Sequence, residues 1–309
     1  MKKISIITPA YNEVENITEW LKRVKAVIDQ YSNYKFELIV IDNASTDGTQ
    51  DQLRRLVDIE PRLKVIINAR NFGPIRSPFY GLLQGSGDAV ICLAADLQDP
   101  PELISRMIEE WEQGAKAVVA IKDTSDESQA FFFIRKLYYR IVDRLADIQT
   151  IQNFTGFGLY DRAIVDYCRS INDPYPYFRG LISEIGLPIK KISFHQPVRK
   201  RGFSNCNWYV LYDVAMLGIT NFSKVPLRLA AMVGFVTAFI SLIVAFCYLI
   251  YKLVLWRSFP LGTAPLVIGL FFFSSVQLFF IGILGEYIGA IHTQVLKRPL
   301  VVEKERINF

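Results

Sequence analysis

The sequence has few of the residue types that close disulfides or form clustered metal sites. Four cysteines occur without the paired spacing of a disulfide framework or a zinc site, which argues for free thiols in a reducing compartment. The two histidines, His195 and His292, lie too far apart in sequence to suggest a metal pair. No basic run indicates nucleic-acid binding, and the net charge is a modest +5. We therefore expect no nucleic-acid partner.

Charged side chains are missing from two long stretches of the chain. They run from Leu229 to Tyr251 and from Ser258 to Gly285, which are 23 and 28 residues. A helix that crosses the hydrocarbon core of a bilayer needs about 20 apolar residues, so each stretch predicts a transmembrane helix. The alternative, two helices buried in a soluble core, would need an unusually large core around them.

Basic residues beside these stretches predict their orientation. Two precede the first stretch and four follow the second, between Lys297 and Arg306, whereas the connecting segment holds only Lys252 and Arg257. The positive-inside rule then places both termini in the cytosol. No cleavable signal peptide is predicted, because the apolar run after the first lysines covers only residues 4–7. We expect a two-span protein of the inner (cytoplasmic) membrane with a cytosolic catalytic domain.

The N-terminal part of the chain alternates strand and helix patterns. Apolar runs predict strands at residues 3–8, 36–41, 63–67 and 89–94, with helical patterns between them. This alternation predicts an α/β domain with a mainly parallel sheet, in which ligands bind at the carboxyl ends of the strands. The polar residues that follow these strands are Tyr11, Asn12, Glu13, Asp42, Asn71 and Asp96.

Four segments are predicted along the chain. They are a globular domain (1–205), an amphipathic juxtamembrane helix (206–226), two transmembrane helices (227–295) and a cytosolic tail (296–309). The juxtamembrane helix either lies in the membrane interface or docks the domain to the membrane. Glycines in the second span recur at spacings that permit close helix packing, so we expect a homo-oligomer formed through the spans.

The acidic residues at the strand ends suggest nucleotide-sugar chemistry. A nucleotide sugar releases a diphosphate, whose developing negative charge a divalent cation can neutralise. Such hard cations prefer oxygen ligands, which Asp96 and the amide of Gln98 can supply. Asp42 and Glu13 are placed to accept hydrogen bonds from a base or ribose. Each residue alone is equally compatible with a turn or a helix cap, but together they indicate a nucleotide site.

Four motif strings carry a family resemblance. In order they are T-P-A-Y-N-E (8–13), V-I-D-N-A-S-T-D-G-T (40–49), N-F-G (71–73) and A-D-L-Q-D-P-P-E (95–102). By these strings roughly the first 210 residues resemble the family-2 glycosyltransferases of GT-A fold, and within them the polyprenyl-phosphate glycosyltransferases. The two spans that follow match the bacterial subgroup that glucosylates undecaprenyl phosphate.

The resemblance implies a Rossmann-like GT-A domain followed by a two-helix transmembrane hairpin, and it implies a donor site. Asp96 would be the second carboxylate of the Asp-x-Asp metal motif, with Gln98 as a further ligand of Mg²⁺ or Mn²⁺. The first carboxylate position of that motif is Ala94, and Pro74 stands where a basic residue usually follows Asn-x-Gly. A weaker metal site, a cation held mainly by the donor's diphosphate, and an inactive copy remain open. The residues implied to bind the nucleotide sugar are Pro9, Tyr11, Glu13, Asp42, Asn71, Gly73 and Asp96.

The acceptor site is predicted from positive charge near the membrane. A polyprenyl phosphate needs cations, preferably arginine, which contacts phosphate through two parallel hydrogen bonds. In the family, basic residues at the positions resembling Lys122, Arg135 and Arg199 contact the lipid phosphate. The alternatives are a solvated helix face for Arg135, and attraction to anionic headgroups for Arg199 and Arg201. The predicted catalytic residues are Asp96, Lys122, Arg135, Arg199 and Arg201.

The acceptor determines the expected mechanism. A phosphate oxygen is already ionised at pH 7, so no strong general base is required. We expect inverting transfer of a hexose, glucose first, from a UDP-sugar to undecaprenyl or another polyprenyl phosphate on the cytosolic membrane face. The alternatives are another sugar, such as mannose or amino-arabinose, on the same carrier, and a weakly active pseudoenzyme or scaffold beside a lipid-linked sugar flippase. A processive polysaccharide synthase is disfavoured, because the Gln-x-x-Arg-Trp motif is absent.

Overall fold

The computed structural model describes residues 1–124, 151–197, 208–254 and 263–309. Strands and helices alternate through the first of these ranges, as the periodicity predicts. The strands are β1 (Lys2–Ala10), β2 (Tyr34–Asp42), β3 (Leu63–Asn68), β4 (Ala89–Cys92), β5 (Ala117–Thr124), β6 (Phe154–Asp161), β7 (Ile189–His195) and β8 (Glu303–Ile307). The helices are α1 (Ile17–Ile28), α2 (Thr49–Ile59), α3 (Gly73–Gln84), α4 (Leu103–Glu112), α5 (Arg162–Ile171), α6 (Phe178–Glu184), α7 (Trp208–Phe222), α8 (Val225–Val254) and α9 (Thr263–Leu296).

All of these strands belong to one sheet, in the order β7-β5-β6-β4-β1-β2-β3-β8. β1 pairs in parallel with both β2 and β4, β2 with β3, and β5 with β7. The pairs that involve β6 and β8 are antiparallel. The predicted, mainly parallel sheet is therefore confirmed. After β3 the chain crosses back to the other side of β1, so the crevice between β1 and β4 is a topological switch point, where open α/β sheets bind ligands.

Helices cover both faces of the sheet. Helices α1, α2 and α4 pack on one face, and α3, α5 and α6 pack on the other. Helix α1 illustrates the cause, because Ile17, Trp20 and Val24 recur at helical spacing and form one buried apolar face. Since β1 and β2 are covered on both sides, their sequences are nearly continuous apolar runs rather than alternating patterns.

Helix α3 lies very close to the sheet, and a glycine permits this approach. A Cβ atom at Gly81 would come within 2.7 Å of Ile41 Cγ1 and 2.8 Å of Ile7 Cγ2. A larger residue would have to displace these buried side chains. The close packing brings the first turn of α3, with Pro74 and Ile75, next to the carboxyl end of β1.

Strand β8, which lies within the predicted cytosolic tail (296–309), belongs to the sheet of the globular domain. Strand β8 pairs antiparallel with β3 at the edge of the sheet. Its Glu305 receives two hydrogen bonds of 2.7 Å from Arg54 of α2. Just before β8, Arg76 of α3 donates a hydrogen bond to the carbonyl oxygen of Pro299. The chain thus leaves the domain, passes through two long helices and returns to the same sheet.

Two helices are candidate membrane spans. In the described ranges, Val225–Val254 and Ile268–Leu296 are long and apolar enough to cross a bilayer, and the rest of the protein buries none of their most apolar segments. The two predicted uncharged stretches fall largely within these helices.

Helix α7 connects the globular domain with the second candidate span. The hydroxyl of Tyr175 donates to Asp213 of α7 at 2.5 Å, and the Phe222 ring packs against Tyr177 with centroids 5.9 Å apart. On the other side, the hydroxyl of Tyr212 donates to Glu286 of α9 at 2.7 Å. Of the two roles left open by the sequence, these contacts support docking of the domain to the spans.

Candidate functional site

The loops at the carboxyl ends of three strands contain residues in the left-handed backbone region. Asn12 after β1, Ala44 after β2 and Leu97 after β4 have φ values of 56°, 61° and 63°. This conformation is costly for residues other than glycine and persists where surrounding contacts enforce it, which occurs often at functional sites. The three loops therefore mark this edge of the sheet as a candidate site.

Hydrogen bonds fasten the β1 loop to the β2 loop. The backbone N–H of Asn12 donates to Ser45 Oγ at 2.9 Å, and its side-chain oxygen accepts from the N–H of Thr46 at 2.8 Å. The N–H of Glu13 donates to Thr49 Oγ1 at 2.9 Å. The Glu13 carboxylate is buried and accepts a 2.6 Å hydrogen bond from Asn16. Glu13 thus helps to build the loop, and its predicted contact with the nucleotide stays a prediction.

Asp42 is a buried carboxylate with one unused oxygen. Its side chain has no exposed surface, and Oδ2 accepts a hydrogen bond of 3.0 Å from the N–H of Ser45. Oδ1 has no hydrogen-bond partner among the described residues. Burial raises the pKa of Asp42, although hydrogen bonds from Ser45 and Gln50 oppose the shift. A buried acceptor without a partner is costly, so a bound donor group would stabilise it.

Asn71 and Gly73 shape the loop after β3. The side-chain oxygen of Asn71 accepts hydrogen bonds of 2.8 Å from Asn43 Nδ2 and from the N–H of Gly73. Gly73 begins α3 with a φ of 85°, a conformation that favours glycine. The protein itself therefore occupies the Asn71 side-chain oxygen, and nucleotide binding by these two residues stays a prediction.

The loop after β4 holds the predicted metal ligands. Asp96 Oδ1 accepts a hydrogen bond of 3.1 Å from the N–H of Gln98. Asp99 is buried, and its Oδ2 accepts a 2.9 Å hydrogen bond from the N–H of Ala94. Burial raises the pKa of Asp99 to about 7; the charge of Asp96 adds to this shift, whereas the hydrogen bond from Ala94 and the charge of Lys122 oppose it. The charges of Asp96 and Lys122 thus both act on the Asp99 carboxyl, and Gln98 lies in the same loop as Asp96.

The side chains of the β4 loop supply only part of the ligand set of a divalent cation. Asp96 and Gln98 can supply two oxygen ligands, and Ala94 offers no side-chain ligand. Within the described ranges, no group of three or more His, Cys, Asp or Glu residues could hold a metal ion. Because Mg²⁺ is usually held by one or two carboxylates together with substrate phosphates, these two residues would hold a cation only together with phosphate oxygens of a bound substrate.

The structure describes some of the other predicted site residues, and three of them lie outside the described ranges. Pro9 is the last but one residue of β1 and lines the cavity beside β4, while Tyr11 lies half-buried in the next loop. Arg135, Arg199 and Arg201 lie outside the described residues. Asp161 caps α5 by accepting a hydrogen bond from the N–H of Ala163 at 3.1 Å.

An apolar cavity beside the switch point was missed at the sequence level. Its volume is about 380 Å³, and it extends from Pro9 and Ala94 to helices α3, α6 and α7. Arg179 and Thr155 are among its few polar lining residues. The sequence signal is faint: Arg179 follows the aromatic run Tyr175-Pro176-Tyr177-Phe178, whose position next to Pro9 depends on the tertiary fold.

A doubly covered sheet with its polar loops at the β1–β4 switch point agrees with the family resemblance. The sequence profile described as Glycosyl transferase family 2 matches residues 5–168, more than half of the chain. The chain belongs to glycosyl transferase family 2. The predicted family, GT-A fold and enzyme class are thereby confirmed.

Relatives of this family-2 glycosyltransferase match it over nearly its whole length. The "Uncharacterized glycosyltransferase YkcC" of Bacillus subtilis is 33% identical over 300 residues, which are 96% of this chain and 92% of the relative. The "Bactoprenol glucosyl transferase" of Shigella phage SfII is 32% identical over 304 residues, 98% of each chain. A crystal structure of glucosyl-3-phosphoglycerate synthase from Mycobacterium tuberculosis with Mn²⁺, UDP and phosphoglyceric acid is 18% identical and covers 71% of this chain and 76% of its own, with a TM-score of 0.49.

Proposed function

We propose that the protein transfers a hexose, glucose first, from a UDP-sugar to the phosphate of a polyprenyl carrier such as undecaprenyl phosphate. The observation that carries this proposal is the position of three residues at one edge of the sheet, in a chain with two candidate membrane spans. Asp42 ends β2, Asp96 follows β4 and Lys122 lies near the end of β5, and these three strands run in the same direction. The similarity to bactoprenol glucosyl transferases over 98% of both chains supports the lipid acceptor.

The reaction requires that the two substrates be positioned and that the charge of the leaving UDP be stabilised, and it requires no strong base. A phosphate oxygen of the lipid attacks the anomeric carbon, the bond from that carbon to the UDP oxygen breaks, and UDP leaves with inversion. A divalent cation, when bound by Asp96 and Gln98, supplies charge neutralisation for the leaving diphosphate. Asp42 accepts a hydrogen bond from the nucleoside through its unused Oδ1. Lys122 contributes positive charge beside the Asp96 loop.

The proposed orientation has the globular domain and both termini in the cytosol. The basic residues beside the spans support it, as does the single sheet that joins the N-terminal domain to β8. We further propose a homo-oligomer through α8 and α9. Its support is Gly282, Gly285 and Gly289, where an added Cβ would meet nothing within 4 Å in the single chain.

Transfer by the full-length, detergent-purified protein tests the function. Radiolabelled UDP-glucose and undecaprenyl phosphate are incubated with and without Mn²⁺ or Mg²⁺, and the lipid product is separated. We expect a metal-dependent lipid-phosphate-glucose product that Asp96→Ala reduces about 100-fold or more. The matched control Asp58→Ala, on the exposed face of α2, keeps wild-type activity. If product forms only with GDP-mannose or a UDP-amino-arabinose, the transferred sugar is not glucose. If no donor gives product although UDP binds, the pseudoenzyme alternative remains.

Restoring the missing carboxylate tests the metal proposal separately. We expect Ala94→Asp to lower the Mn²⁺ concentration that gives half-maximal transfer about tenfold, because an added oxygen ligand tightens the site. The measurement is a Mn²⁺ titration of the initial rate, with Mn²⁺ binding in the presence of UDP followed by electron paramagnetic resonance. An unchanged Mn²⁺ requirement in both assays would place the cation away from the Ala94–Asp96 turn.

A further inference from the structure

The apolar cavity has walls suited to a branched hydrocarbon. Its volume is about 380 Å³ and its lining is mainly aliphatic and aromatic. Val214 contributes from α7, the helix that also contacts the second candidate span through Tyr212. The cavity therefore links the switch point, at Pro9 and Ala94, with the membrane side of the domain. The main wall residues are Ile75, Phe79, Phe157, Tyr177, Phe178 and Val214.

Two polar groups in this cavity lack a partner among the described residues. Arg179 is the one cation among the described residues that line it, and none of their carboxylates forms a salt bridge with its guanidinium. Thr155 Oγ1 is buried and has no hydrogen-bond partner in the same parts of the chain. The one lining carboxylate, Asp99, already accepts a hydrogen bond from Ala94. A buried hydroxyl without a partner is destabilising, and the half-buried Arg179 guanidinium has no carboxylate paired with it in the described ranges. Both groups therefore point to a ligand.

An irregularity in β6 accounts for the position of Thr155. The β5–β6 register shifts between Val119 and Ile121, and Gly156 opposite this shift has a φ of 103°. A bulge of this kind locally re-aims a side chain and often lies beside an active site. The Tyr160 hydroxyl holds the bulge by donating to the carbonyl oxygen of Gly156 at 2.7 Å. The strand is therefore built to present Thr155 to the cavity.

A guanidinium, a hydroxyl donor and apolar walls together define the ligand's chemistry. Arginine and a hydroxyl suit phosphate oxygens, and the walls suit an apolar chain attached to that phosphate. We propose that Arg179 and Thr155 bind the phosphate of the acceptor lipid and that the cavity encloses its first isoprene unit. This inference rests on the proposed function, and it assigns the acceptor phosphate to residues other than the four basic candidates identified from the sequence. The other possible source of a phosphate is the donor's diphosphate.

Direct binding tests the proposal without requiring turnover. Isothermal titration of the full-length protein in detergent compares farnesyl phosphate, farnesol, inorganic phosphate and UDP. We expect Arg179→Gln to weaken farnesyl phosphate binding about 10- to 100-fold, because a charge-assisted hydrogen bond is lost, and to leave UDP binding unchanged. Arg179→Lys restores part of the loss, since it keeps the charge without the planar fork. The matched control Arg55→Gln, on the exposed surface of α2, changes neither affinity.

A second variant separates ligand binding from a structural role. Thr155→Val keeps the shape of the side chain and removes a hydroxyl that has no partner in the described parts of the chain. We therefore expect an unfolding temperature equal to or above that of the wild type, together with several-fold weaker farnesyl phosphate binding. A structural hydroxyl would give the opposite pattern, a lower unfolding temperature with unchanged affinity.

Each remaining outcome separates the inference from the proposed function. Loss of UDP affinity in Arg179→Gln with unchanged farnesyl phosphate binding would assign the guanidinium to the donor and overturn the inference. Wild-type transfer to undecaprenyl phosphate with an unchanged acceptor KM in Arg179→Gln would also overturn it, while the function stands. Arg179-dependent binding of farnesyl phosphate by a protein that transfers no sugar would support the inference and refute the function.

Discussion

Asp42 has the contacts expected of a nucleoside-binding carboxylate. Its Oδ2 is engaged by the loop that it closes, and its Oδ1 is left without a partner among the described residues. Asp42→Asn keeps the size of the side chain and can keep the bond to Ser45, but an amide in the open position donates instead of accepting. We expect UDP affinity to fall about 10-fold or more in a titration of the full-length protein.

The control for this change is Asp58→Asn, which alters an exposed residue of α2. It leaves UDP affinity at the wild-type value. Wild-type UDP affinity in Asp42→Asn would show that Asp42 serves only to close its own loop. The same assay thus distinguishes the nucleotide role from the turn role that the sequence left open.

Glu37 has a structural role near the middle of β2, five residues before Asp42. Its carboxylate is buried and contacts Lys3 Nζ at 2.8 Å, Lys64 Nζ at 3.1 Å and Ser5 Oγ at 2.5 Å. Burial alone would raise its pKa, but the hydrogen bonds from Lys3, Ser5 and Ser86 outweigh burial and lower the pKa to about 2. The charged form is therefore a stabilising element of the sheet, without a part in the site.

A lowered pKa makes this contribution pH-dependent. It is fully present above the unfolded-state pKa of about 4.5 and is lost as the pH falls through about 2. We expect Glu37→Gln to lower the free energy of unfolding by about 3 kcal/mol at pH 7. Thermal unfolding at several pH values checks this: the difference from the wild type shrinks between pH 4.5 and 2. The exposed Glu19→Gln shows no such difference, and a pH-independent deficit in Glu37→Gln would contradict the linkage.

At the scale of elements, β8 protects the edge of the sheet. β3 presents Val65, Ile66 and Ile67, all fully buried, and β8 covers its outer hydrogen-bonding edge. An uncovered apolar edge strand invites aggregation. We expect deletion of residues 303–309 to lower the unfolding temperature by about 10 °C and to cause aggregation during purification.

The matched control for this deletion is Glu305→Gln. It keeps the strand and removes only the ion pair with Arg54, whose partners are 39% and 40% exposed. Pairs this exposed contribute little, so the unfolding temperature shifts by about 2 °C at most. A full-sized shift in Glu305→Gln would mean that the ion pair, rather than strand pairing, holds the edge.

The elements differ in how far the sequence predicts them, and the reasons are physical. β1 to β4 are buried apolar runs and α1 has a clear helical period, so local pattern suffices for them. Helix α3 contains Pro74, Pro78 and Gly81, which argue against a helix locally, and its packing on Ile7 and Ile41 overrides them. β8 has the charged sequence of an edge strand, E-K-E-R-I, and forms only because β3 offers it an edge.

The same distinction applies to the candidate site. Asp42 and Asp96 were predicted to meet because parallel strands bring their carboxyl ends to one edge. The meeting of Arg179 and Thr155 was not predicted. Their cavity depends on a bulge in β6 and on helices such as α3, which lies far from them in sequence. Contacts that depend on tertiary packing leave no periodic pattern in the sequence. Local motifs therefore predict Asp42 and Asp96, the proposed donor residues, better than Arg179 and Thr155, the proposed acceptor residues.

At the scale of the whole molecule, one sheet contains both ends of the chain. β1 and β8 belong to it, although both candidate spans lie between them in sequence. A chain that leaves a domain and returns to it must cross a bilayer an even number of times. Two crossings by α8 and α9 meet this condition, and the positive-inside rule then favours the cytosolic side for the domain.

Cysteine labelling tests this orientation in intact cells. In a variant whose four native cysteines are replaced by alanine, Ser258→Cys places a thiol between the spans and Phe309→Cys places one after β8. We expect a membrane-impermeant maleimide to label position 258 from outside, and position 309 only after lysis. Labelling of position 309 in intact cells would place the domain outside, where no nucleotide sugar is supplied. Labelling of neither position before lysis would mean that the two helices do not cross the membrane. The protein would then have to reach the lipid acceptor from the membrane surface alone.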